Sequence, residues 1–263
     1  MTTTDGWDPA RYEQFAAERR RPFVDLLELC RPVPGGEVAD LGCGTGDLTV
    51  ELHKALRAAH TVGVDNSPAM LATARERHAG AGGVTFEEGD LAEFAGLGLS
   101  LVFANASLHW VDDHAALLGR LRGSLGAGGQ LAFQVPANFT HPSHTVATEV
   151  AAESRFAPTL ADEPALHRGR QVLSLDGYAE CLYALGSTEQ RVRREVYGHV
   201  LDSTASVVEW VQGTLLTPIR RRLDDGAYEA FVTTYRERLL EVLGDESPYF
   251  YPFHRILCWA VFD

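Results

Sequence analysis

The segment Val38-Ala39-Asp40-Leu41-Gly42-Cys43-Gly44-Thr45-Gly46-Asp47-Leu48 runs an apolar stretch into three alternating glycines and then into a helix-forming sequence. Glycine there permits positive φ and lets a ligand approach the backbone where a side chain would block it. Two classes of ligand compete for such a loop. A dinucleotide pattern, G-x-G-x-x-G, is met by Gly42 and Gly44, but its third position is Asp47, an acid where a pyrophosphate would lie. Repulsion disfavours that reading, and with it a nicotinamide oxidoreductase. Asp40, just before the loop, offers its carboxylate to an ammonium group, which a dinucleotide does not possess.

Two further acids extend the pattern. Asp65 ends the next apolar run, where a carboxylate can accept both hydroxyls of a ribose. Asp90 follows the third run in Glu88-Gly89-Asp90-Leu91, placed to accept from the exocyclic amine of an adenine. A lone Asp in such a place caps a helix as readily as it meets a ligand. Three of them at successive strand ends, beside this loop, describe a ligand with an ammonium, a ribose and an adenine but no phosphate. That ligand is S-adenosyl-L-methionine, with S-adenosyl-L-homocysteine left as product.

These residues need a frame to hold them. Short β-branched runs over 37–41, 61–65, 84–87, 100–105 and 130–135 alternate with helical periodicity over 48–56, 69–78, 91–94 and 114–125. This alternation predicts an α/β, doubly wound, mostly parallel seven-stranded sheet, Rossmann-like, with helices on both faces. Ser67-Pro68 reads as an N-cap with proline at the first helical position, and Gly128-Gly129 as the stop of the fourth helix. After Pro136 the rhythm changes. Loop and short helices are expected over 137–187, a strand over 189–201, and a long helical stretch over 206–243 interrupted near Thr217-Pro218. A closing strand is expected over 254–262. The implied organisation is a core at 1–136, a mainly helical substrate lid at 137–250 holding one core strand, and the closing strand at 251–263. A helix over 11–30 precedes the core, with Trp7, Tyr12 and Phe15 facing inward.

The loop and its acids resemble the class I S-adenosylmethionine-dependent methyltransferases. Further residues resemble the trans-aconitate 2-methyltransferase family: Trp7-Asp8-Pro9, Tyr12, Phe15 to Arg19 and Arg21-Pro22 at the opening, then Ala104 to Leu108, Trp110 and Asp113-His114. Gln134, Pro136, Asn138, Pro142, His144, Glu209-Trp210-Val211, Phe253 and Arg255 extend the likeness. The family has Gln where this chain has His109, Gly-Leu-Arg-Pro where it has Leu215-Leu216-Thr217-Pro218, and Pro where it has His254. The resemblance implies an antiparallel seventh strand and a methyltransferase acting on a small-molecule acceptor. It also implies a cofactor set of Asp40, Gly42, Cys43, Gly44, Gly46, Asp65, Asn66, Asp90, Leu91, Asn105, Ala106 and Trp110, joined by Tyr12 and Arg19.

Methyl transfer from a sulfonium needs alignment more than acid–base chemistry, and a carboxylate acceptor is already ionised near neutral pH. The expected activity is O-methylation of a carboxylate of a small organic acid. The alternative is a hydroxyl or a carbon of a specialised metabolite. Arg255, Arg19, Tyr197 and His199 are candidates to meet the acceptor, with Asn138 and His144 on the lid. His109 is a candidate base for a hydroxyl acceptor, or else a residue that bonds its own loop.

Composition narrows the partners. Lys plus Arg is 23 and Asp plus Glu is 36, a net charge of −13, which disfavours a sequence-independent hold on nucleic acid or an anionic membrane. No apolar run approaches the ~20 residues of a membrane span, and the first residues lack a secretory pattern. Cys30, Cys43, Cys181 and Cys258 are widely spaced, so neither a disulfide framework nor a zinc site is expected. His141 and His144 flank Pro142 rather than sharing a helix face, and no metal is expected. A cytoplasmic enzyme follows, monomeric or weakly dimeric.

Overall fold

Strand β1 (Glu37–Leu41) buries Val38, Ala39 and Leu41 completely, as a central parallel strand covered on both faces must. The computed structural model describes residues 16–263 except 168, 170 and 213, with side chains described from Arg20 onward. Tyr12, Trp7 and Phe15 lie outside the described residues, as does the side chain of Arg19. Helix α1 (Ala16–Leu27) precedes β1, and α2 (Asp47–Leu56), β2 (His60–Asp65), α3 (Pro68–Arg77), β3 (Val84–Glu88), β4 (Leu99–Asn105), α4 (His114–Gly123) and β5 (Leu125–Pro136) follow. Then come α5 (Pro142–Ala151), α6 (Ala157–Leu160), α7 (Leu175–Ala184), β6 (Ser187–Leu201), α8 (Ser206–Gln212), α9 (Leu216–Arg222), α10 (Asp225–Leu243) and β7 (Tyr249–Phe262).

The seven strands form one sheet in the order β3-β2-β1-β4-β5-β7-β6. β1 pairs in parallel with β2 (Val38 opposite Thr61) and with β4 (Val38 opposite Leu101). β2–β3 and β4–β5 are also parallel. The chain winds outward in opposite directions from β1 and β4. The carboxyl ends of these two strands therefore flank the crevice where ligands bind in open α/β sheets.

The chain divides into two units. The first comprises 1–135, 171–195 and 255–263, and the second 136–170 and 196–254. Residues of β6 and β7 belong to both. Phe23, Leu26, Leu52, Leu101, Phe103, Leu257 and Trp259 share one core of the first unit, with Phe23 edge-on to Phe103 at 5.6 Å. In the second unit α5, α8, α9 and α10 contribute Val146, Val211, Ile219, Phe231 and Tyr235 to a separate core. Among the described residues no helix is long and apolar enough to cross a membrane.

The structure corrects several expectations. Residues 171–195 belong to the first unit rather than to one continuous lid. Tyr178 on α7 packs edge-on to Phe133 at 5.2 Å, and its hydroxyl bonds His114 Nδ1 at 2.6 Å. The lid boundary at 251 likewise shifts, because β7 begins at Tyr249 and the first unit resumes at Arg255. Gly128-Gly129 does not end α4, which stops at Gly123. The pair lies within β5, where the β4–β5 register slips between Leu99 opposite Leu125 and Leu101 opposite Gln130. Gly128 takes φ +73° in that irregularity, a conformation that favours glycine. The helical stretch is interrupted between the end of α8 at Gln212 and the start of α9 at Leu216, just ahead of Thr217-Pro218. Pro218 itself lies in the first turn of α9, where no backbone partner awaits its missing N–H, and a second break falls at Leu223-Asp224, with Asp224 capping α10 through Ala227 N at 2.8 Å.

Candidate active site

A cavity of about 670 Å³ opens at the carboxyl ends of the strands of the first unit, a volume suited to a small molecule. Gly42, Gly44, Asp65, Asn66, Asp90, Leu91, Asn105, Ala106 and Trp110 all line it. The sequence had assigned each of these nine residues to a cofactor. Met70, Ala92, Ser107, Val111, Asp112, Asp113, Ala116 and Arg120 complete the wall. A signal for part of this second group was available. Ala116 and Arg120 recur at four-residue spacing along α4, so they share a face.

Backbone geometry shapes the wall. Gly42 sits at φ +78°, and a β-carbon there would meet Ser107 Cβ at 2.3 Å. The amides of Gly42 and Cys43 both donate to the carbonyl of Val64, at 2.7 and 3.1 Å, which ties the loop to the end of β2. Ser107 in turn donates its hydroxyl to the carbonyl of Leu41 at 2.5 Å. Ala106 (φ +57°) and Asp113 (φ +50°) hold left-handed backbone without being glycine, and both line the cavity. Strain of this kind persists where the surrounding structure over-determines it, commonly at a ligand site. Asp113 also caps α4 through Ala116 N at 3.0 Å.

Asp65 accepts from Gly44 N at 2.9 Å through one oxygen and from Ser67 N at 2.9 Å through the other. Each oxygen retains acceptor capacity toward a pair of hydroxyls. Asp90 combines the two roles weighed from sequence, since it caps the turn at Leu91–Glu93 through Ala92 N (2.8 Å) and also lines the cavity. The orientation of Asn105 is fixed through a chain of bonds. Arg255 Nη1 donates to Gln134 Oε1 at 2.9 Å, and Gln134 Nε2 donates to Asn105 Oδ1 at 2.8 Å. Because guanidinium is only a donor, Gln134 must turn its oxygen to it and its NH₂ to Asn105, leaving the NH₂ of Asn105 for the cavity side.

Other assigned residues lie elsewhere. Asp40 is buried and absent from the wall. It accepts the hydroxyl of Thr49 at 2.6 Å, and burial, with a smaller effect from the charge of Asp65, raises its pKa to about 6 against the pull of that hydrogen bond. Cys43 turns its side chain into a small core with Leu71, Ala74 and Phe86, where burial pushes its thiol pKa up, so only its backbone serves the loop. Gly46 is required by packing: at φ +79° its β-carbon would lie 2.5 Å from Phe86 Cζ. Asp47 also points away from the cavity. It takes the hydroxyl of Thr45 at 2.8 Å and pairs with Arg77 and His78 at 3.4 and 3.2 Å. A pyrophosphate is disfavoured not by Asp47 but by the four aspartates of the wall, which face one arginine among the described residues.

His109 is buried against Trp110, with ring centroids 5.0 Å apart, and does not line the cavity. Tyr197 and His199 belong to the second unit. Tyr197 is buried, and the ring of His199 lies tilted against Trp210 with centroids 4.5 Å apart. Asn138 is 1% exposed, with Oδ1 accepting from His254 N and Nδ2 donating to Tyr251 Oη, so both ends of its amide are engaged by protein. Among the described residues no group of three or more His, Cys, Asp or Glu is arranged to hold a metal.

An acid-lined cavity with an apolar floor (Met70, Leu91, Trp110) suits an adenine nucleoside bearing a cationic tail. The comparisons agree. Residues 38–129 match a family model described as a methyltransferase domain. The chain is 38% identical over 259 residues to trans-aconitate 2-methyltransferase of Deinococcus radiodurans, covering 95% of this chain and 96% of that one. Its fold is similar to that of the YcgJ protein of Bacillus subtilis (TM-score 0.61, 13% identity, 92% of this chain and 98% of that one). It is also similar to phosphoethanolamine N-methyltransferase 2 of Haemonchus contortus solved with S-adenosyl-L-methionine (TM-score 0.56, 18% identity, 92% of this chain and 52% of that one). The chain is a class I S-adenosylmethionine-dependent methyltransferase and belongs to the trans-aconitate 2-methyltransferase family.

Proposed function

We propose that the enzyme methylates a carboxylate oxygen of a small organic acid of the trans-aconitate kind, acting in the cytoplasm as a monomer or weak homodimer. The observation that carries this reading is the 38% identity to trans-aconitate 2-methyltransferase, which extends over 95% of the chain and so through the second unit as well as the first.

When bound, S-adenosylmethionine supplies a methyl group already activated on a sulfonium. The chain's residues then have to bind, align and exclude water. Asp65 serves the ribose hydroxyls, Asp90 the adenine amine and Asn105 the amino-acid end, while Gly42 and Gly44 admit the ligand to the backbone. Arg255 acts as a positioning residue through Gln134. His144 meets the acceptor, and Tyr197 and His199 shape its surroundings. A carboxylate needs no deprotonation before attack. In support, the described wall of the large cavity contains no His, Lys, Cys or Tyr, and His109 is turned into the loop against Trp110.

Incubation with methyl-labelled S-adenosylmethionine and a panel of small di- and tricarboxylic acids, phenols and alcohols tests the reading. The expected product is a methyl ester, whose label is released as methanol by mild alkali. An alkali-stable product formed only from phenols, alcohols or carbon acids would overturn it.

A further inference from the structure

The wall of the large cavity includes Val111, Asp112 and Asp113, which follow directly on the turn carrying Trp110. Asp113 has φ +50° and ψ +71°. Left-handed backbone is costly for a residue with a β-carbon, and it persists only where the surroundings over-determine it. Part of that surrounding is supplied by residues 59 and 64 positions further along the chain.

Each residue from Asp112 to His114 is fastened. Gln171 Nε2 donates to Asp112 Oδ1. Asp113 Oδ1 accepts from Ala116 N at 3.0 Å and so caps α4. His114 does not line the cavity; it is 2% exposed, and its Nδ1 lies 2.6 Å from Tyr178 Oη. The bonds to Asp112 and His114 therefore grip the left-handed residue from both sides. The two wall carboxylates use Oδ1 in these bonds and retain acceptor capacity at Oδ2.

The gripping segment is itself anchored to the sheet. Ser174 caps α7 by accepting from Gly177 N at 3.0 Å, which sets Tyr178 near the start of that helix. Tyr178 is fully buried, and its ring meets Phe133 of β5 edge-on at 5.2 Å. One position along, the carbonyl of Ala179 accepts from Gln190 Nε2 of β6 at 3.1 Å. All of these residues belong to the first unit. A support tied to two strands can impose on a loop a conformation that the loop's own preferences oppose.

We propose that Tyr178 and Gln171 are positioning residues for S-adenosylmethionine: by fastening His114 and Asp112 they hold the carboxylates of Asp112 and Asp113 against the adenosine part of the cofactor. The adenosine part is indicated by what adjoins these acids. Trp110 gives the wall a flat apolar ring suited to a purine, and Asp112 and Asp113 follow it closely in the chain. The amine of adenine and the hydroxyls of ribose are donors, which carboxylate oxygens match. The proposal concerns the cofactor alone and stands whichever acceptor is methylated.

The test is calorimetric titration of the ligand-free enzyme with S-adenosylhomocysteine and with 5′-methylthioadenosine, which keeps the adenosine and lacks the amino-acid end. It compares wild type, Tyr178→Phe, the pair Asp112→Asn with Asp113→Asn, and the triple variant. Tyr178→Phe keeps the ring against Phe133 and removes only the hydroxyl. Its Kd should rise about tenfold for both ligands, the equivalent of one hydrogen bond. With any acceptor that is turned over, KM for S-adenosylmethionine should rise by the same factor at constant kcat. Asparagine at 113 tolerates left-handed backbone and can still cap α4. In the asparagine background, Tyr178→Phe should therefore add less than about twofold, because the carboxylates through which Tyr178 acts are already gone. A lower melting temperature with unchanged affinity would leave Tyr178 a packing residue and overturn the proposal. So would a tenfold loss that persists in the triple variant, or one seen with S-adenosylhomocysteine but not with 5′-methylthioadenosine. If Tyr178→Phe fails to fold, Gln171→Ala decides at a half-buried position. Both Kd values should then rise about threefold, and unchanged values would overturn the proposal.

Discussion

The wall of the large cavity and the cluster around Ser143 solve the same problem, holding polar groups in place, by different means. In the first, position comes from the backbone: strand ends, left-handed glycines and amides that bond Val64 and Asp65. In the second, position comes from side chains, in a relay joining α5 to β7 through residues 108 positions apart in the chain. The difference teaches where tolerance lies. A backbone-built wall accepts varied side chains but not a lost glycine, whereas a side-chain relay fails when one hydroxyl is removed.

Three substitutions would break or sharpen that contrast. Gly42→Ala should have the largest effect, because it combines φ +78° with a 2.3 Å clash on Ser107. A loss of about 4 kcal/mol in stability is expected by thermal unfolding, with calorimetric binding of S-adenosylhomocysteine reduced beyond detection. Retained binding would mean that the wall is not backbone-built.

Asp40→Asn should come next, with an effect that depends on pH. The folded-state pKa of Asp40 lies above its ordinary value, so the folded protein holds the proton more tightly than the unfolded chain does. The stability this confers is complete below pH 3.8 and is lost as pH rises through about 6. The asparagine variant carries no such loss. It should gain on wild type by about 3 kcal/mol between pH 4 and pH 7, read from denaturant unfolding of ligand-free protein. A difference independent of pH would show that Asp40 is ionised without strain.

Ser143→Ala should be the smallest of the three. It removes the hydroxyl that Tyr251, His141 and His144 share as a hydrogen-bond partner and should cost about 2 kcal/mol, while the affinity for S-adenosylhomocysteine stays unchanged. Loss of cofactor affinity would contradict the separateness of the two constructions.

The same contrast explains what could be read from sequence. Alternating apolar runs, the glycines and the carboxylates at strand ends are local signals, and they located Gly42, Gly44, Asp65, Asp90, Asn105 and Trp110 at one cavity. Local signals misled where a residue type has two uses. Gly46 answers to the packing of Phe86, Gly128 to an irregularity in β5 and not to a helix end, and Asp47 to Arg77 and His78. Asn138 and His144 were singled out by resemblance alone. Nothing near them in the chain announces Tyr251 or the backbone of His254, which fix the orientation of the Asn138 amide. The placement of 171–195 with the first unit was equally hidden, since it depends on Tyr178 meeting His114 and Phe133.

The bonds from Arg255 through Gln134 to Asn105 have a consequence for redesign. Three positions remote in the chain act as a single selector of polarity, because a donor-only group at one end dictates which face the last amide shows. Anyone wishing to exchange donor for acceptor at position 105 would have to begin the change at position 255, out of contact with the residue whose chemistry is being altered.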